Sequence, residues 1–210
     1  MAPQAFQDAP AGSGESLLAV VNADQRPQHP LRDKSLEKVE ILPLEPGEVE
    51  RISALAAEIW RRHYPGIISA AQIEYMLKQR YDPQVIRAEL ERDDLWWDTL
   101  RAGAQITAFA SYFLNVQPAE MKLDKLYVHP DRQRKGYGAM LIEHVCWRAR
   151  ERGCSRLVLA VNKNNRSAID AYRKHGFQVS ETVIKDIGGG FVMDDYIMEK
   201  ALARADEETR

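Results

Sequence analysis

The chain has 210 residues, of which 45% are apolar and 29% charged, enough for one well-buried core and short for two. Its formal charge of −2 excludes a globally basic surface of the kind that binds nucleic acid, so positive charge matters by position. No apolar run approaches the roughly 18–20 residues that span a bilayer, and LLAVV at 17–21 lacks the basic start of a signal peptide; a soluble, cytoplasmic protein with no membrane partner is expected.

Residues 1–36 are rich in Ala, Gln, Pro, Asp and Ser without a sustained period, which predicts a flexible leader. A domain over 37–202 and a charged tail over 203–210 follow. VEILPL at 39–44 reads as a strand, and beyond Pro46 the residues Val49, Ile52, Ala56, Ile59 and His63 recur at helical spacing. Ser69 is a plausible cap for a second helix running to about Arg80, and another helix is expected after Pro83. From Leu95 the period becomes that of strands. WWDTLRA, a turn at Gly103 and QITAFASYFLNV predict an antiparallel hairpin.

MKLDKLYVHP at 121–130 is a further strand that stops at Pro130. A glycine turn follows, then a helix with Met140, Leu141, Ile142, Val145, Cys146 and Ala149 on its apolar side, ending near Gly153. RLVLAV at 156–161 has almost no polar interruption, as expected of a strand buried on both faces in parallel pairing. The result is a right-handed βαβ unit. A helix over 166–175 and strands near 179–187 and 191–199, joined by Gly188, Gly189 and Gly190, complete the chain. Cys146 and Cys154 have no metal-ligand neighbours at short spacing and read as free buried thiols; no metal site is expected.

The turn DRQRKGYGAML at 131–141 carries the chemistry. A strand leading into a helix presents unpaired N–H groups at the positive end of the helix dipole, and Gly136 and Gly138 remove Cβ atoms that would block an anion. A P-loop needs Gly-Lys followed by Ser or Thr, whereas here Lys135 precedes the glycine. A dinucleotide fingerprint needs a small residue where Leu141 stands. The remaining bland reading of the turn alone is a solvated surface loop.

Combined in this order, the strand LYV, QRKGYG, the strand LVLAV and NRSAIDAYRKHGF, which is N-x-x-A-x-x-x-Y-x-x-x-G-F, resemble the GCN5-related N-acetyltransferase superfamily over most of residues 38–200. The resemblance implies an α/β (α+β) fold: a mixed central sheet of about seven strands, helices on both faces, and two strands splayed into a wedge for acetyl-CoA. It implies that Gln133, Arg134, Lys135, Gly136, Tyr137 and Gly138 hold the pyrophosphate through backbone amides. Main-chain groups of Leu126, Tyr127 and Val128 would pair with the pantetheine arm, Asn165 would contact the cofactor in the wedge, and Tyr172 would stand near the thioester sulfur as general acid. Where many relatives carry a glutamate base, this chain has Lys122, so Asp124 or Glu120, on the same strand face, are the base candidates; His129 more simply shapes its turn.

Trp60, His63, Tyr64, Tyr75 and Tyr81 fall where the family selects its acceptor, although helix packing alone would account for them. Asp194 and Asp195 point to opposite faces of one strand, which would direct at least one towards an open site. HYPGIISAAQIEYML with GFVMDDYIMEK looks like the bacterial branch that includes polyamine acetyltransferases. The expected function is therefore transfer of acetyl from acetyl-CoA directly to a primary amine, such as a polyamine or another small cationic amine. A protein N-terminus or lysine side chain, hence a peptide substrate, is the alternative, and a non-catalytic acyl-CoA-binding regulatory domain is the reading of another class. A homodimer is compatible with each.

Overall fold

The structure, a computed structural model, describes residues 37–203; the predicted leader and all but the first residue of the predicted tail lie outside the described residues. Strand β1 (Val39–Pro43) precedes three helices, α1 (Val49–His63), α2 (Ala70–Tyr81) and α3 (Pro83–Leu90). In α1 the residues Val49, Ile52, Ala56, Ile59 and Trp60 form one buried stripe. The start of α2 is set by Ser69, whose hydroxyl accepts from the Gln72 N–H at 3.2 Å. Helix α3 opens on Pro83 behind Asp82, whose carboxylate accepts from the Gln84 N–H at 2.9 Å.

Strands β2 (Leu95–Ala102), β3 (Gln105–Leu114) and β4 (Glu120–Val128) continue from β1 as an antiparallel meander. After β4 come α4 (Tyr137–Glu151), β5 (Arg156–Asn162), α5 (Arg166–Lys174) and the hairpin of β6 (Gln178–Gly188) and β7 (Phe191–Ala201). The seven strands form one sheet in the order β1-β2-β3-β4-β5-β7-β6, with β4 and β5 the parallel pair. The last hairpin folds back so that β7, not β6, lies beside β5.

Strand alternation divides the core in two. Leu100, Ala110 and Tyr112 pack under Leu141 and Val145 of α4 and Ile169 of α5, while Trp97 and Phe109 pack against Ile52, Leu77 and Ile86 of the first three helices. Helices thus cover both faces of the sheet. Each fully buried aliphatic chain, such as Ile52 or Leu141, contributes roughly 1.5–3 kcal/mol. Strand β5 departs from its reading in one residue: Ala160 is exposed between buried neighbours. Its exposure marks where the sheet opens.

Candidate active site

Strands β4 and β5 pair only from Glu120↔Arg156 to Leu123↔Leu159. Beyond Leu123, β4 keeps β3 as its neighbour but has no partner towards β5, and a cavity of about 630 Å³ fills the gap. The cause lies in β4 itself. Its pairing with β3 passes from Ser111↔Lys125 to Tyr112↔Leu123, leaving Asp124 as an extra residue, a β-bulge that bends the strand. The bulge also shifts the alternation. Met121 and Leu123 pack on the α4 side, and after the bulge it is Leu126 and Val128 that do so. Asp124, Lys125 and Tyr127 all meet the α1–α3 side.

At the wide end of this wedge lies the glycine turn. Pro130–Arg132 forms a short 3-10 turn held to α1 by His129 with Glu58 at 2.9 Å and by Arg62 with Asp131 at 2.7 Å. Arg134 (φ 60°) and Gly136 (φ 84°) then take left-handed backbone, and no side chain caps α4. Gly136 is demanded by that conformation, which favours glycine. Gly138 is different. A Cβ there would make only ordinary contact with Val128 at 3.8 Å, so the protein's own packing does not require glycine. Uncapped amides at the start of a fifteen-residue helix, bordered by Gln133 and Arg134, can hold a pyrophosphate without further arrangement. Lys135 is exposed and does not line the cavity, and the Tyr137 ring is buried in the core.

Tyr172 reaches the cavity from α5, edge-on to Phe177 at 5.6 Å, and burial pushes its hydroxyl up to about 12. It is a neutral donor at every physiological pH. Asn165 also lines the cavity, but its side-chain oxygen is engaged within the protein: it caps α5 at the Ala168 N–H (3.4 Å), accepts from the Ser167 hydroxyl (3.2 Å) and contacts His63 Nε2 (3.2 Å). Opposite stands an aromatic wall of Trp60, Tyr64, Tyr81 and Tyr127, with the Tyr64 and Tyr127 hydroxyls 3.1 Å apart. Tyr75 does not join it. Its hydroxyl donates to the Ile187 carbonyl at 2.8 Å, and a Cβ on Gly188 (φ 85°) would lie 2.6 Å from that hydroxyl oxygen, so the final turn is built around this ring.

The carboxylates separate into three situations. Glu120 is not part of this cavity; it is buried with Asn115 and Arg156 (2.5 Å) along a separate polar recess, because the strands are still paired at its level. Asp124 does line the cavity. Burial would raise its pKa, but Lys125 at 2.7 Å and Arg80 at 2.5 Å outweigh burial and hold the carboxyl at about 2. Such a carboxylate is a weak base locked in ion pairs. Asp195 is the third. Its Oδ1 is buried without a hydrogen-bond partner, and burial followed by the charge of Asp194 raises the carboxyl to about 6. Sequence reasoning singled out the Asp194–Asp195 pair but not which member faces inward; the antiparallel register opposite Asn162 decides it. Arg80, Lys122 and Lys185 also line the cavity, and no sequence signal placed the first and last of them there.

Similarity to known proteins agrees with this geometry. The model of the acetyltransferase (GNAT) family matches residues 54–177. The spermidine N(1)-acetyltransferase of Thermoplasma acidophilum is 27% identical over 158 residues, covering 74% of this chain and 96% of that protein. The [ribosomal protein bS18]-alanine N-acetyltransferase of Salmonella typhimurium is 38% identical over 78 residues, 37% of this chain and 51% of that protein. Among solved structures, the PaiA N-acetyltransferase of Thermoplasma acidophilum in complex with coenzyme A superposes with a TM-score of 0.68 at 25% identity, covering 78% of this chain and 99% of that one. A sheet opened beside a bulged strand, an uncapped helix at its mouth and a match across more than half the chain identify a member of the GNAT acetyltransferase family, an enzyme that takes its acetyl group from acetyl-CoA.

Proposed function

We propose that the enzyme transfers acetyl directly from acetyl-CoA to a small primary amine bound with it in the same cleft. The observation that carries this reading is the convergence of Tyr172, Asp195, the free edge of β4 and the glycine turn on one cavity. Acetyl-CoA supplies an activated thioester carbonyl. The amide groups of Gly136 to Ala139 would hold its pyrophosphate, and the edge of β4 over Leu126–Val128, which the splay leaves without a strand partner towards β5, would receive its arm as an added strand. A backbone N–H on the same stretch is the candidate donor to the developing oxyanion.

An alkyl ammonium with a pKa of about 10.4 must lose a proton before its nitrogen can attack. Asp195 replaces Asp124 and Glu120 as the base in this reading, because its buried oxygen is unpartnered and its carboxyl is the more basic. As the C–N bond forms and the C–S bond breaks, Tyr172 gives its proton to the departing sulfur. Of the two protons that the ammonium loses, one restores Tyr172 and one is released through Asp195. The spermidine-acetylating relative supports a polyamine as acceptor, a choice that the charge of this chain's own cavity opposes.

Steady-state rates with both substrates varied test direct transfer. Intersecting double-reciprocal lines are expected; parallel lines with a burst of acetylated enzyme would contradict it.

A further inference from the structure

The cavity wall carries Arg80, Lys122, Lys125 and Lys185 against the carboxylates Asp124 and Asp195, Lys122 coming from the last paired stretch of β4, opposite Val158. Most of these charges are already committed. Asp124 takes Arg80 and Lys125, and Lys125 also reaches Glu89 at 3.0 Å. Asp194, outside the wall, is paired with Lys163. Among the described residues, Lys122 and Lys185 have no carboxylate within ion-pair distance; Lys122 has only the Phe113 ring, 5.8 Å from its Nζ. Both lysines stand near enough to Asp195 to act on its charge.

The unspent charges of the acceptor half are therefore two ammonium groups and one carboxylate. A polyamine would bring several further positive charges to a wall that already has a surplus of one, with a single carboxylate to receive them. Like charges brought together in a partly desolvated site are strongly unfavourable. An acceptor with one ammonium and one oxyanion balances the same wall: the ammonium meets Asp195 and the oxyanion meets Lys122 and Lys185. We propose that the acceptor is a primary amine that also carries an oxyanion, a carboxylate or a phosphate, held by Lys122 and Lys185. This inference rests on the acetyltransfer reading and narrows its substrate.

Matched pairs of amines test it: lysine with cadaverine, ornithine with putrescine, and phosphoethanolamine with ethanolamine, with spermidine alongside. The expected result is that the oxyanion-bearing member of at least one pair has a kcat/KM about tenfold or more above its partner's and above that of spermidine. The first two pairs favour a carboxylate and the third a phosphate. Lys185→Glu, at an exposed position where folding is not at stake, should invert that preference, and Lys122→Gln should shrink it to within about threefold by raising KM for the oxyanion-bearing member. Turnover that favours the oxyanion-free members or spermidine would overturn this inference alone. Absence of turnover with every amine would overturn the acetyltransfer reading and this inference with it.

Discussion

Asp195 on β7 and Asp124 on β4 line one cavity from either side of β5, yet their pKa values are driven to about 6 and about 2. Both are partly or wholly withdrawn from water, so the difference is made by partners: Asp124 has two cations at contact distance, and Asp195 has a buried oxygen with none. The raised value fixes the sign of a pH effect. Below about 6 Asp195 is mostly protonated and cannot accept a proton, so kcat/KM should rise with pH through about 6 and level off above it. Asp195→Asn should lower kcat/KM and remove that acidic limb. A limb that persists unchanged in the variant would assign it to another group. Tyr172, at about 12, contributes no limb below pH 10.

The turn and the bulge act as elements rather than as single side chains. Gly136 at φ 84° gives the chain a left-handed step into α4, and a Cβ added there meets nothing within 4 Å. Gly136→Ala should therefore cost about 1–2 kcal/mol of stability from backbone strain alone. Gly136→Glu adds a negative side chain in the open space beside the uncapped amides, and acetyl-CoA affinity by calorimetry should fall well beyond that of the alanine variant. Equal affinity in wild type and Gly136→Glu would take the turn out of the binding site. The turn was legible in the sequence because glycine, charge and helix onset are local signals. The bulge was not: nothing in MKLDKLYV distinguishes a regular strand from one in which Asp124 is extra, since that depends on register with β3. Strict alternation put Glu120, Lys122 and Asp124 on one face, which holds up to the bulge and tells nothing of the residues after it.

Across the whole molecule, element order follows from periodicity, and the mixed sheet with helices on both faces from the family resemblance that the motifs carry. Strand order at the far edge does not. Only because β7 returns beside β5, with β6 outside it, does Asp195 arrive opposite Asn162 and complete a wall begun by β4 some seventy residues earlier. For the same reason Glu120, local to β4, was an attractive base in sequence but stands where the sheet is still closed. The wedge follows from how the strands are paired, between two buried layers of side chains.

The most direct measurement is amine-dependent release of CoA from acetyl-CoA, with the acetylated product identified by mass, for wild type and Tyr172→Phe. The expected result is release that requires an amine, yields one acetylated amine per CoA, and falls roughly 100-fold or more in Tyr172→Phe while acetyl-CoA still binds. Tight binding of acetyl-CoA with no amine-dependent release from either protein would contradict transfer and leave a domain that binds the acyl carrier without using it.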